Sequence, residues 1–309
     1  MAVIDAHTHL FAPAQIAGRQ ALCERDATFA EMYADPKAAM ADAPALLSEL
    51  DEAGVDAAVV AGFAFSTERD IEEQNEYILA TAALTRGARF EESGSSPAAA
   101  GEGSDGANRV GECLRLIPLV SINPALTGWG RTLSDAIGGG ARGFGELRPY
   151  SQGWDPLGAE ARCFYAAAEE AGAVLLWHVS EPVGHQYPGK GGGIGPAELA
   201  RVAEAFPGLR MVAAHMGGGL AYFLQMPELR VALASVFFDT AAWPLLYDDK
   251  SVARLVDLAG PGRVIFGSDY PLLSPRRQLE RIQPLLPPDA VRAVCGETAG
   301  SLFRDIRDQ

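Results

Sequence analysis

Short, mostly apolar runs recur along the chain, each followed by a stretch of mixed polarity. They are Val3–Ala6, Ala57–Ala61, Leu116–Ile122, Gly143–Leu147, Val174–His178, Arg210–Ala214, Val236–Asp239 and Val264–Gly267. A strand with one wet face alternates apolar and polar residues. Runs without that alternation read as strands buried on both faces, which is the habit of parallel sheets. Helical patterns separate them: Pro44–Ala53, Thr67–Arg86, Leu157–Ala171, Pro196–Ala205, Val252–Ala259 and Pro275–Pro284. Glu68, Asp70, Glu72 and Glu73 open the second of these, where carboxylates suit the positive end of a helix dipole. Strand-then-helix repetition predicts a parallel sheet with right-handed crossovers. Eight such units closing on themselves predict an α/β fold of the (β/α)8 TIM-barrel type; an open doubly wound sheet is the alternative.

Two segments break the alternation. Phe11 to Ala43 is too long for a turn and predicts a lid or helical insertion over the barrel mouth after the first strand. Glu91 to Asn108 is rich in Ser, Gly, Ala and acidic residues without an apolar period, and predicts a disordered loop before the third strand. Glu297 to Phe303 predicts a last helix that packs Leu302 and Phe303 on the barrel. No composition shift marks a boundary, so residues 1–309 are expected to form a single domain.

Chemistry enters through the strand ends. The chain has 5 histidines, and His7, His9, His178 and His215 all close apolar runs. Asp269 follows Val264-Ile265-Phe266. Side chains at the C-terminal ends of parallel strands face one mouth. His7 and His9 are two apart on a strand and so project from one face. Taken singly, each has a plain structural reading: a surface strand, a core histidine, a helix cap. Together, neutral imidazoles and a carboxylate are what a divalent ion such as zinc prefers. Glu146 and Arg148 end the fourth strand, and His185 and Lys190 lie in a turn-rich loop after His178. Glu146, Arg148 and His185 are candidate substrate contacts, with Arg148 suited to a carboxylate.

Composition narrows the partners. The formal net charge of −15 argues against nucleic acid and anionic membranes. No apolar run is long enough for a membrane span and no secretory leader is visible, so a cytoplasmic location is expected. Cys23, Cys113, Cys163 and Cys295 are far apart and read as reduced thiols. Gly138-x-Gly140-x-x-Gly143 matches a dinucleotide fingerprint but precedes a strand instead of following one. Gly184-x-x-x-x-Gly189-Lys190 lacks the hydroxyl residue of a phosphate loop.

The segments His7-x-His9, His178, Ala214-His215-Met216-Gly217-Gly218 and Phe266-Gly267-Ser268-Asp269-Tyr270-Pro271 resemble the signature of the amidohydrolase-related family. That is the branch of the metal-dependent amidohydrolase superfamily that contains aminocarboxymuconate-semialdehyde decarboxylase. The resemblance runs from the first strand to the last helix. It implies a barrel with one divalent ion, usually zinc, held by His7, His9, His178 and Asp269, with His215 catalytic beside Asp269. No lysine ends the fourth strand to bridge two metals; Glu146 stands there, and a glutamate at this place bridges two metals in another branch. The expected function is hydrolysis of a small amide, lactone or ester bearing a carboxylate. In it, Asp269 takes a proton from metal-activated water and His215 polarises the attacked carbonyl. Non-oxidative decarboxylation of an aromatic or enoic acid needs the same residues and is the alternative. A non-catalytic metal-binding protein is the alternative of another class. The partner is a small molecule, and fold analogy suggests a homodimer.

Overall fold

The computed structural model describes residues 2–85 and 115–303. The segment expected to be a disordered loop, 91–108, lies outside them. Eight strands form one sheet in sequence order: β1 (Ile4–His9), β2 (Ala57–Ala61), β3 (Leu116–Val120), β4 (Gly143–Leu147), β5 (Val174–Trp177), β6 (Arg210–Ala213), β7 (Val236–Asp239) and β8 (Val264–Ile265). Every neighbouring pair is parallel. The chain beyond β8 folds back on β1 and closes the barrel: Ala6 N–H donates to Phe266 O at 2.7 Å, Asp269 N–H to His7 O at 2.9 Å, and His9 N–H to Tyr270 O at 2.7 Å. The structure is therefore the TIM barrel and not the open sheet.

The apolar runs explain the two-layer core. On β2, Ala57, Val59 and Ala61 join the cluster inside the barrel, while Ala58 and Val60 join the cluster between barrel and helices. Successive side chains on a strand face opposite sides, and here both sides are buried. Leu302 and Phe303 plug the inner cluster as expected. Most predicted helices appear within a few residues of their expected ends, Pro196–Ala205 without change. Trp129–Gly138 was not expected from the sequence; its glycine-flanked ends carry no capping signal. Gly143 then opens β4, so the false dinucleotide motif runs helix-to-strand.

The insertion after β1 is helical: Pro13–Ala17, Arg19–Arg25 and Ala27–Tyr33. Asp26 caps the third helix by accepting from Phe29 N–H at 3.0 Å, and its other oxygen accepts from Ser66 N–H at 2.8 Å. One carboxylate thus ends a helix and fastens it to the loop after β2. Phe11, Phe29, Tyr33, Phe63 and Phe65 form a separate aromatic cluster beneath. Phe29 and Tyr33 stack with ring centroids 4.8 Å apart.

Candidate metal centre and active site

The strand ends place their polar side chains on one floor. His7 and His9 end β1, Glu146 is the penultimate residue of β4, and His178 directly follows β5. His215 lies just past β6, Asp239 ends β7, and Asp269 lies past β8. His7 Nε2 is 3.1 Å from His9 Nε2 and 3.6 Å from Asp269 Oδ1, and His9 Nε2 is 3.3 Å from the same oxygen. Ligands about 2.0–2.2 Å from a tetrahedral ion stand about 3.3–3.6 Å from each other. The three residues therefore fit a divalent ion. Glu146 is the next donor, 3.9 Å from His7 and 3.8 Å from His9.

Glu146 also belongs to a second group. Its Oε1 lies 2.9 Å from His178 Nδ1 and 3.1 Å from His215 Nε2, and those two nitrogens are 3.1 Å apart. The other nitrogen of His178 meets Gly189 O at 2.8 Å. The structure thus joins His7, His9 and Asp269 as one donor cluster and sets His178 with Glu146 and His215 as another.

Asp239 was missed by the sequence reading. It is fully buried, and its Oδ2 lies 2.8 Å from His7 Nδ1. A carboxylate there fixes the tautomer that leaves Nε2 free to face an ion. Its Oδ1 accepts from His215 N–H at 2.8 Å and Ala241 N–H at 3.0 Å. The signal was present: an acid closing Val236-Phe237-Phe238, by the same rule that singled out the histidines.

Backbone strain surrounds His215. Its φ is +56°, Met216 has +59°, and Gly217 to Gly219 follow at +68°, +57° and +94°. Left-handed conformations cost a residue with a side chain roughly 1–2 kcal/mol. A Cβ on Gly217 would meet the Phe238 ring at 2.8 Å, and one on Gly218 would meet Ser180 O at 2.8 Å. The glycines permit a turn packed this closely, and Asp239 anchors its first N–H. Asp269 is also left-handed, at φ +66°, which aspartate tolerates better than most residues.

The floor is electrostatically coupled. Burial alone would lower the His7 imidazole, but the charge and hydrogen bond of Asp239, with Glu146 and Asp269 behind, raise it to about 10. Burial likewise opposes charging of His215, yet its hydrogen bond to Glu146 and the surrounding acids raise it to about 9. Burial would raise both carboxyls; instead the facing histidines hold Glu146 well below its usual range and Asp269 at about 2. His178 is lowered by burial, with Glu146 opposing. A cation bound at this floor therefore competes with protons.

Above the floor is a cavity of about 460 Å³. Its lining includes Met32, Tyr33, Phe63, Leu245 and Leu246, so the insertion after β1 supplies part of its wall, as expected of a lid. Tyr33 was not foreseen; nothing local in the insertion shows where it docks. Arg148 and His185 also line the cavity. Arg148 is buried and paired with Glu31 at 3.1 Å, whereas His185 is exposed on the rim. Lys190 turns away from this role: its Nζ donates to the Val183 and His185 carbonyls of its own loop. Cys23, Cys163 and Cys295 are free thiols.

A closed parallel barrel with imidazoles and carboxylates converging at its C-terminal mouth defines an enzyme of the metal-dependent barrel class. The chain belongs to the Amidohydrolase family, whose sequence profile matches residues 4–304. One relative, 6-methylsalicylic acid decarboxylase from Penicillium expansum, is 29% identical over 152 residues. That match takes in 40% of this chain and 46% of the relative, less than half its length. Among solved structures, 5-carboxyvanillate decarboxylase from Novosphingobium aromaticivorans, complexed with manganese and 4-hydroxy-3-methoxy-5-nitrobenzoic acid, aligns with a TM-score of 0.70 at 14% identity. The alignment covers 98% of this chain and 96% of that one. Dihydroxybenzoic acid decarboxylase from Polaromonas sp. JS666, with manganese and 2-nitroresorcinol, aligns at TM-score 0.66 and 13% identity over 98% and 97%. At such identities the likeness is one of fold. No helix of the described residues is long and apolar enough to cross a membrane.

Proposed function

We propose that this chain is a divalent-metal-dependent, non-oxidative decarboxylase of a small aromatic acid. Of the two chemistries that the sequence leaves open, this replaces hydrolysis as the preferred one. The observation that carries it is the division of the cavity. The clustered metal-ligating side chains gather on the floor, and much of the wall above them is apolar, formed by Tyr33, Phe63, Met32, Leu245 and Leu246, with Arg148 among the polar groups that also line it. Such walls suit a flat ring better than a peptide-like amide with its own polar groups. The decarboxylase activity of the 29%-identical relative supports the same reading.

When bound by His7, His9, Asp269 and a fourth ligand, His178 or Glu146, the ion supplies a Lewis acid that grips the substrate carboxylate. Such a mixed donor set suits zinc, our sequence-based assignment, and also manganese. The chain's own residues do the rest. Asp239 keeps His7 in register, and the walls exclude water and orient the ring. The bond between ring and carboxylate breaks, its electron pair stays on the ring carbon, and that carbon takes a proton. His215 or Asp269, both of which line the cavity, delivers it.

The test is product analysis with metal-loaded enzyme. Hydroxybenzoic acids should release carbon dioxide and, in heavy water, gain one deuterium at the vacated ring carbon. Turnover of a parallel lactone and amide panel, with no carbon dioxide from any acid, would return the assignment to hydrolysis.

A further inference from the structure

Arg148 lines the cavity although it is only 2% exposed. Its Nη2 donates to Glu31 Oε1 at 3.1 Å, to Gly191 O at 2.8 Å and to Gly189 O at 3.4 Å. Its Nε and Nη1, both buried, have no hydrogen-bond partner among the described residues. A guanidinium cannot shed its proton, so these donors stay charged. Buried donors without acceptors are costly and call for an explanation. The other long basic side chain in the lining is Lys37, which is exposed. In a chain of net charge −15, a buried cation facing the substrate cavity is a selective feature.

Position gives the feature a meaning. Arg148 directly follows β4, two residues beyond Glu146, and both side chains line the cavity. Glu31 sits at the end of the lid helix Ala27–Tyr33 and is exposed. It also accepts from Ser151 Oγ at 3.2 Å. Its carboxylate occupies the Nη2 donor that, with Nη1, would form the end-on fork of the guanidinium.

We propose that Arg148 is the specificity residue for a second carboxylate on the aromatic substrate, and that Glu31 is the counter-ion this carboxylate displaces. The inference rests on the decarboxylase reading for the direction in which the first carboxylate enters. Binding tests it without turnover. Calorimetric titrations of manganese-loaded protein with benzoate and with isophthalate should show isophthalate binding about tenfold to a hundredfold tighter, the scale of a charge-assisted pair in a desolvated site. Arg148→Met should erase that preference, and Arg148→Lys, which keeps the charge but not the fork, should erase most of it. Glu31→Gln should sharpen it. Melting curves of each variant confirm that it is folded.

Equal affinity for the two acids in the wild type, or a preference that survives both arginine variants, overturns the proposal. An isophthalate preference that Glu31→Gln weakens overturns the role of Glu31. Loss of all carbon dioxide release with the preference intact would instead sink decarboxylation and leave Arg148 as assigned.

Discussion

Asp239→Asn separates the work of one buried carboxylate from its place in the fold. The side chain makes three bonds: to His7 Nδ1 at 2.8 Å, to His215 N–H at 2.8 Å and to Ala241 N–H at 3.0 Å. An asparagine of the same shape can still accept both backbone N–H groups through its oxygen. Its nitrogen then faces His7 Nδ1 and donates, which forces the ring proton onto Nε2, the atom that faces Asp269 and His9. That tautomer cannot ligate. Loss of such a partner typically costs 10–100-fold in metal affinity or activity, about 1.4–2.7 kcal/mol. Asp239→Ala additionally leaves two backbone donors without an acceptor, at roughly 1–3 kcal/mol each, and should compromise folding. Competition against a chelator, with elemental analysis after dialysis, measures the affinity; thermal melts of metal-free protein measure the fold. We expect Asp239→Asn to melt near the wild type and to hold metal more than tenfold more weakly. The deficit should widen from mildly acidic to mildly alkaline buffer, because protons on His7 handicap the wild type less as pH rises. An Asp239→Asn protein with wild-type metal affinity throughout would refute the tautomer argument.

Other expectations follow from the same floor. Of His178→Ala and Glu146→Gln, the variant that removes the fourth ligand should lose the ion, whereas His215→Ala should keep it and lose turnover by about 10²–10⁴-fold, the usual worth of a proton-transfer group; equal metal loss in His215→Ala by elemental analysis would place His215 among the ligands. In metal-free protein, His7 and His215 titrate at about 10 and about 9, above the unfolded value of 6.5, so their stabilisation is complete below about pH 6.5 and is lost as pH rises through 9 to 10. Melting temperature should therefore fall across that window, and a flat profile would show that these imidazoles are not charged in the folded state. Gly218→Ala combines φ +57° with a contact of 2.8 Å to Ser180 O. Urea titration should register a loss of about 2–5 kcal/mol, left-handed strain and overpacking together.

The sequence was informative where a single local rule governs the outcome. A run apolar on both faces has to be a buried strand, so β2, β4 and β7 fall on their expected residues, and the order of runs then dictates a barrel. The same rule places any polar residue that closes a run at the mouth, which is why His7, His9 and Asp269 converge as anticipated. It applies equally to Asp239, an acid that closes a run ending in two phenylalanines. The rule does not reach the lid. Tyr33 and Met32 arrive at the cavity, and Glu31 at Arg148, because Asp26 binds the loop after β2 and because Phe29 stacks on a partner distant in sequence. No periodicity within residues 11–43 encodes that docking. Nor does the rule reach rotamers: Arg148 points inward onto Glu31, and Lys190 curls onto its own loop, through contacts made only once the barrel has closed. On the proposed reading, the strand ends supply the chemistry and the insertion that covers them supplies the shape.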